Sequence, residues 1–233
     1  MTAPSPLQRY QSDLKTAGFV HDRAQAEAVD QLEKVWQGLV NNPPKKLNGR
    51  WPPVQGLYLW GGVGRGKTYL MDCFYETLPF SRKQRTHFHR FMGRVHEARK
   101  QYANSRDPLV KIAVDLSHET RVLCFDEFFV SDIADAMILA RLLKVLFERG
   151  VTLIATSNIP PEQLYRDGLQ RNRFLPAIDR IQQHCQVLQV DGGTDYRLRV
   201  LEQAEIYHHP SDKQAEDNLS GYFDAMAPDP GEQ

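Results

Sequence analysis

Apolar and polar residues follow one another along the chain in a pattern that predicts alternating strands and helices. Ser12–Val40 reads as helical with a break near Gly18, because apolar side chains recur at helical spacing from Asp22 onward. Strands that are apolar on both faces and alternate with helices indicate a parallel sheet covered by helices on both sides. The predicted strands are Leu57–Trp60, Arg85–Phe91, Arg121–Phe125, Val151–Thr156 and Cys185–Val190, and the predicted helices between them are Thr68–Tyr75, Gly93–Ala103 and Asp132–Glu148.

These elements divide the chain into three stretches. Residues 1–54 form a helical segment followed by a linker that is rich in proline and asparagine, and residues 55–207 form the α/β core. Residues 208–233 form a polar tail with too little apolar content to pack well.

Composition excludes several classes of protein. The 29 Lys and Arg residues balance 29 Asp and Glu residues, so no basic field favours nucleic acid as a partner, and any basic patch would be local. No apolar run approaches the roughly 20 residues of a membrane span, which predicts a cytoplasmic protein. Three isolated cysteines in apolar surroundings, Cys73, Cys124 and Cys185, are expected to be reduced and buried.

A glycine-rich loop follows the first predicted strand and opens a helix. Gly61, Gly66, Lys67 and Thr68 fill every fixed position of G-x-x-x-x-G-K-[ST], the phosphate-loop motif. Such a loop turns backbone N–H groups toward phosphate oxygens, while the lysine contacts the β- and γ-phosphates and the threonine hydroxyl ligates Mg2+. The alternative is a glycine-rich turn with a chance Lys-Thr. The predicted nucleotide-binding residues are Gly61, Gly62, Val63, Gly64, Arg65, Gly66, Lys67, Thr68 and Tyr69.

Two adjacent carboxylates end the third predicted strand. Asp126 is suited to hold Mg2+ opposite Thr68, directly or through water, and Glu127 could polarise a water for attack on the γ-phosphate. The adjacent acids favour hydrolysis over transfer to a small acceptor. The alternative is a strand that ends in two solvated acids.

The fourth predicted strand ends in Thr-Ser-Asn. Ligands bind at the carboxyl edge of parallel sheets, so Asn158 could hydrogen-bond the attacking water or the γ-phosphate. Its other interpretation is a cap before the Ile159–Pro161 turn.

Together these motifs resemble the AAA+ ATPases, and more narrowly the ZapE family, which joins a bacterial cell-division ATPase to mitochondrial relatives. The resemblance covers the chain to about Tyr207. It implies an ATPase that uses ATP and Mg2+, acts at the division septum and modulates polymers of the tubulin-like protein FtsZ. The matching segments are Gly56–Thr68, His87–Met92, Cys124–Ile133 and Ala155–Pro161.

The resemblance also implies roles for residues outside these motifs. Arg171 matches the AAA+ arginine finger that reaches a nucleotide held by a neighbouring subunit of a ring or dimer, with Arg173 in reserve. In the alternative interpretation both arginines pair with surface acids such as Asp167 or Asp179. By the same analogy, Asp22 and Gln25 are assigned to an adenine pocket. Phe91 and Met92 either face a central pore or pack the following helix on the sheet.

Family members continue beyond the point where this chain ends, so the resemblance implies a fragment or a shortened form. After the last strand, only Tyr196–Tyr207 and Asn218–Ala225 have helical patterns. Three functions therefore stay open: an ATP hydrolase that remodels a protein partner, a nucleotide-gated interaction module with little turnover, and a phosphate-loop kinase or transferase.

Overall fold

Five short strands form a parallel sheet in the computed structural model, which describes residues 4–191 except 17, 18, 20 and 44–49. In chain order the strands are β1 (Gly56–Trp60), β2 (Lys83–His87), β3 (Val122–Asp126), β4 (Thr152–Ser157) and β5 (Cys185–Gln189). Their hydrogen bonds give the spatial order β2-β3-β4-β1-β5. The strand that leads into the phosphate loop therefore lies inside the sheet, between β4 and β5.

Seven α-helices accompany the sheet in the described part of the chain. They are α1 (Pro6–Asp13), α2 (Arg23–Asn41), α3 (Lys67–Thr77), α4 (Phe88–Gln101), α5 (Pro108–Glu119), α6 (Ile133–Glu148) and α7 (Leu175–His184). Short 3-10 helices occur at Pro161–Gln163 and Arg171–Arg173. None of the helices in the described ranges combines the length and apolar character needed to cross a membrane.

The sheet separates two apolar cores because successive strand residues point to opposite faces. Tyr58 and Phe125 face the core that contains α4, α5, α6 and α7, whereas Leu57, Leu59 and Cys124 face the core shared with α1, α2 and α3. The prediction of a parallel sheet sandwiched between helices is confirmed. All three cysteines are free and buried, as expected.

The prediction of a strand at Arg85–Phe91 is wrong in its second half. β2 ends at His87 and α4 begins at Phe88, five residues before the predicted start of the helix at Gly93. The buried residues of α4 recur at helical spacing (Phe88, Phe91, Met92 and Val95), and this period outweighs the local β-propensity of Phe88. Phe91 and Met92 are each 1% exposed, so they pack the helix on the sheet rather than facing a pore.

Other boundaries also differ from the predictions. α1 begins at Pro6 instead of Ser12, because Ser5 and Gln8 form a capping box with Pro6 in the first turn. α5 and α7 are absent from the predicted elements, although Asp107 caps α5 and Pro108 opens it. The predicted helices after residue 191 and the polar tail lie outside the described residues.

Candidate nucleotide site

The phosphate loop lies at the carboxyl end of β1 and runs directly into α3. Gly66 precedes the first helical residue with φ of 78°, a left-handed conformation that favours glycine. A Cβ atom on Gly66 would stand 2.3 Å from Nε2 of Gln25, and one on Gly61 would stand 2.2 Å from the carbonyl oxygen of Val190. Gly61 is therefore required by the neighbouring backbone, and Gly66 by its left-handed conformation.

Lys67 and the residues after it present the groups that a phosphate chain would contact. The Lys67 ammonium donates to the carbonyl oxygens of Gly61 at 2.8 Å and Gly62 at 2.7 Å, which holds it against the first residues of the loop. Thr68 is exposed in the first turn of α3. The Tyr69 side chain turns away and donates to Asp13 at 2.7 Å, so its contribution to the site would be its first-turn backbone N–H.

Two flanking contacts brace the loop. Gln25, 2% exposed in the first turn of α2, donates from Nε2 to the carbonyl oxygen of Arg65 at 3.3 Å. Asp22 caps the same helix by accepting from the Gln25 backbone N–H at 2.9 Å. On the other side, Nε of Arg65 lies 3.3 Å from Oδ1 of Asp191, just after β5. Asp22 and Gln25 thus support the loop, and their assignment to an adenine pocket stays a prediction.

Asp126 ends β3 beside a half-buried arginine that the sequence does not single out. Arg85, in the middle of β2, donates from Nε to Oδ2 of Asp126 at 2.7 Å and from Nη2 to Oδ1 at 3.3 Å. Its Nη1 contacts Oδ1 of Asp72, one turn beyond Thr68 on α3. Burial of the Arg85 guanidinium opposes its charge, but the hydrogen bonds to Asp126 and Asp72 outweigh burial and raise its pKa.

The donors present at this edge fit Mg2+. Mg2+ prefers hard oxygen ligands and is usually held by one or two protein side chains together with phosphate oxygens and water. The exposed Thr68 hydroxyl and the Asp126 carboxylate, whose side chain is 13% exposed, supply such oxygens. The described residues contain no cluster of three or more His, Cys, Asp or Glu side chains that could hold a metal alone. A site completed by a nucleotide is therefore the better fit.

Glu127 adopts a strained backbone conformation. Its φ of 52° lies in the left-handed region, which side chains with a Cβ rarely occupy. Its backbone N–H donates to Oγ1 of Thr156 at 3.3 Å, and the N–H of Phe128 donates to the Thr156 carbonyl at 2.7 Å. These bonds to β4 hold the turn in place and leave the Glu127 side chain exposed at the edge of the sheet.

Asn158 lies next to the phosphate loop. Ser157, the last residue of β4, pairs with Trp60 of β1, and its carbonyl accepts from the Gly61 N–H at 3.2 Å. Asn158 follows immediately and is exposed. The ends of β1, β3 and β4 thus bring together Lys67, Thr68, Asp126, Glu127 and Asn158.

Arg171 and Arg173 are not part of this cluster in a single subunit. Nη2 of Arg171 donates to the carbonyl oxygen of Glu162 at 2.6 Å, within the segment between β4 and α7. Arg173 is exposed. Within the described ranges, neither arginine forms an ion pair with Asp167 or Asp179. The finger role stays a prediction, since it concerns a neighbouring subunit.

Solved structures share this fold at low sequence identity. DnaI matches with a TM-score of 0.54 and 17% identity, over 77% of this chain and 88% of that chain. AMPPCP-bound DnaA from Aquifex aeolicus matches with a TM-score of 0.54 and 16% identity, over 86% of this chain and 57% of that chain. The sheet order, the phosphate loop and these neighbours define a phosphate-loop nucleotide-binding fold of the AAA+ type.

Sequence comparison narrows this class to one family. The AFG1-like ATPase family matches residues 4–233, and the chain belongs to it. Cell division protein ZapE of Escherichia coli is 53% identical over 227 residues, which are 90% of this chain and 60% of that protein. Lactation elevated protein 1 homolog B of Danio rerio is 42% identical over 187 residues, 75% of this chain and 37% of that protein. The chain therefore spans 60% or less of the length of these two relatives.

The strain at Glu127 predicts an inverted order of stability for two substitutions. Glu127→Gly should be about 1 kcal/mol more stable than Glu127→Ala, because only glycine adopts the left-handed conformation without cost. At Lys144, an exposed helical position of α6, the alanine variant should instead be about 1 kcal/mol more stable than the glycine variant. Urea unfolding of the four variants measures both differences, and alanine ahead of glycine at position 127 would contradict the strain.

Proposed function

We propose that this chain is an ATP hydrolase of the AAA+ type. The observation that carries the proposal is the convergence of three strand ends, which brings a phosphate loop, an Asp-Glu pair and an exposed asparagine to one edge of the sheet. Family membership supports the choice of ATP, because the family is described as AFG1-like ATPases. In the conversion of ATP and water to ADP and phosphate, these elements would bind the phosphates, hold Mg2+ and position the attacking water.

The phosphate loop would bind and orient the triphosphate. The backbone N–H groups at the start of α3 are unsatisfied within the helix, and with the helix dipole they favour phosphate oxygens. The Lys67 ammonium would exchange its bonds to the Gly61 and Gly62 carbonyls for the β- and γ-phosphates. Thr68 and Asp126 would hold Mg2+, which neutralises the charge that develops on the phosphates during transfer.

Glu127 and Asn158 would act on the water that attacks the γ-phosphate. Both side chains are exposed at the carboxyl edge, each one residue after the end of the adjacent strands β3 and β4. Glu127 would accept a proton from the water as a general base, and Asn158 would hydrogen-bond the water or the γ-phosphate. The bonds that fix the Glu127 backbone to Thr156 would keep the base in one place during turnover.

Hydrolysis would be shared between subunits. Arg171 would act as a finger on the nucleotide of a neighbouring subunit in a ring or dimer. It is bonded to Glu162 and is not part of the cluster at the ends of β1, β3 and β4 in its own subunit. The same segment exposes apolar side chains, with Leu169 74% and Leu175 39% exposed, of the kind that a second subunit would cover. Arg173, in the same 3-10 helix, is the alternative finger.

The output of turnover would be the remodelling of a protein partner. The resemblance to cell-division ATPases makes FtsZ polymers the candidate partner, with the chain acting as a peripheral cytoplasmic protein at the septum. A nucleotide-gated module with little turnover is the second candidate. It is favoured by the Arg171–Glu162 bond, which keeps the finger engaged within its own subunit.

Two substitutions separate binding from hydrolysis. Lys67→Ala should weaken ATP binding by about 10- to 100-fold, because it removes a charged donor to the phosphates. Glu127→Gln should retain binding but reduce phosphate release by about 100-fold or more, because an amide cannot serve as the base. Calorimetric titration with MgATP and a phosphate-release assay measure the two effects.

Lys144→Ala and Glu148→Gln, which change exposed charges on α6, are the matched controls and should leave binding and turnover unchanged. Wild-type affinity in Lys67→Ala would contradict the phosphate site. Full turnover in Glu127→Gln would show that another group is the base.

The shared site predicts complementation between two defective variants. Arg171→Ala should bind ATP but hydrolyse it poorly, and mixing it with Glu127→Gln should restore turnover, because some interfaces then combine an intact finger with an intact base. Phosphate release across mixing ratios measures this. Full turnover by Arg171→Ala alone would exclude it as the finger, and loss of turnover only in Arg173→Ala would assign the finger to that residue.

The partner proposal predicts ATP-dependent changes in FtsZ polymers. Wild-type chain with ATP should alter the fraction of FtsZ that pellets. Glu127→Gln, which binds ATP without hydrolysing it, should give a pelleted fraction that differs from the wild-type value. Lys67→Ala serves as the control without nucleotide binding. Pelleted fractions that are the same with and without ATP would reject FtsZ as the partner.

A further inference from the structure

We propose that Arg85 and Asp72 tune the negative charge that Asp126 offers to Mg2+, so that they act as positioning residues for the metal. The inference rests on the proposed function, since it concerns the same Mg2+ site. It starts from a chain of three charged side chains that links β3, β2 and α3.

Arg85 occupies both oxygens of Asp126. The fork formed by Nε and Nη2 reaches Oδ2 at 2.7 Å and Oδ1 at 3.3 Å, and the side chains of Arg85 and Asp126 are only 20% and 13% exposed. A carboxylate has about four lone-pair positions, so Asp126 keeps room to accept from a metal-bound water. The guanidinium nevertheless offsets part of the charge that attracts a cation.

Asp72 draws the same guanidinium in the other direction. Its carboxylate contacts Nη1 of Arg85, and it lies four residues after Thr68, on the same face of α3. The network therefore connects the helix that carries Thr68 to the strand that carries Asp126. Two carboxylates and one guanidinium give a net charge of about −1 beside the proposed Mg2+ position. Neutralising either Asp72 or Arg85 changes that charge.

This arrangement predicts opposite effects for its two members. Asp72→Asn removes one negative charge and leaves Asp126 as the one carboxylate paired with Arg85. The Mg2+ concentration at half-maximal nucleotide binding, the Mg2+ midpoint, should therefore rise by about three- to tenfold. Arg85→Gln leaves two carboxylates without their cation, so the midpoint should fall by a similar factor. If Arg85 only held the fold together, both substitutions would weaken Mg2+-dependent binding.

The measurement is a titration of Mg2+ into each variant of the 233-residue chain with a fluorescent N-methylanthraniloyl ADP at fixed concentration. Glu76→Gln is the matched control, because it removes a carboxylate one turn further along α3 that pairs with Arg9 instead of Arg85. Its midpoint should equal that of the wild type. Arg85→Lys keeps the charge without the planar fork, and its midpoint should stay near the wild-type value.

Divergent shifts in Asp72→Asn and Arg85→Gln support the proposal, and unchanged or parallel shifts overturn it. If a thermal unfolding control shows that Arg85→Gln does not fold, Asp72→Asn and Arg85→Lys still test the proposal. An unchanged Mg2+ midpoint in Asp72→Asn, or a large change of the midpoint in Arg85→Lys, would contradict a charge effect. A wild-type chain that binds the nucleotide equally with and without Mg2+ would overturn both this inference and the proposed metal site. A Mg2+-dependent wild type with equal midpoints in the variants would overturn the inference alone.

Discussion

Parallel pairing of β1 with β4, and of β4 with β3, is the constraint on which the site depends. The register sets Trp60 beside Ser157 and Phe125 beside Ala155, so the three strands end at nearly the same level. The phosphate loop, the Asp126–Glu127 pair and Asn158, which are far apart in the sequence, therefore lie at one edge of the sheet. A shift of one residue in either pairing would turn the side chains of the shifted strand to the opposite face of the sheet.

Backbone packing and charge pairing hold the residues at this edge of the sheet in position. The Val190 carbonyl leaves no space for a side chain at Gly61, the left-handed backbone favours glycine at position 66, and Gln25 donates a hydrogen bond to the loop. At the far side of the site, Arg85 ties the end of β3 to α3. The left-handed turn at Glu127 persists because Thr156 satisfies it from the neighbouring strand. Asp126 and Glu127 are therefore each held by a residue of a neighbouring strand, Arg85 of β2 and Thr156 of β4.

The sequence predicts the parts of the candidate site whose chemistry follows from local spacing. The loop that ends in Lys67 and the Asp126–Glu127 pair are of this kind, and the structure brings them together. Arg85 could not be assigned, because its role depends on the register of β2 against β3 and on the direction of α3. Its signal was a charged residue in the middle of a strand. The extent of β2 was overestimated since Phe88 suits a strand locally, while its packing partners are at helical spacing.

A crystal structure of the chain with Mg2+ and a non-hydrolysable ATP analogue tests the central claim most directly. The account predicts that the Lys67 ammonium leaves the Gly61 and Gly62 carbonyls for the β- and γ-phosphates. It also predicts that Mg2+ lies between the Thr68 hydroxyl and Asp126. A nucleotide bound away from the phosphate loop, or a Lys67 that keeps its loop carbonyls beside the bound triphosphate, would contradict the account.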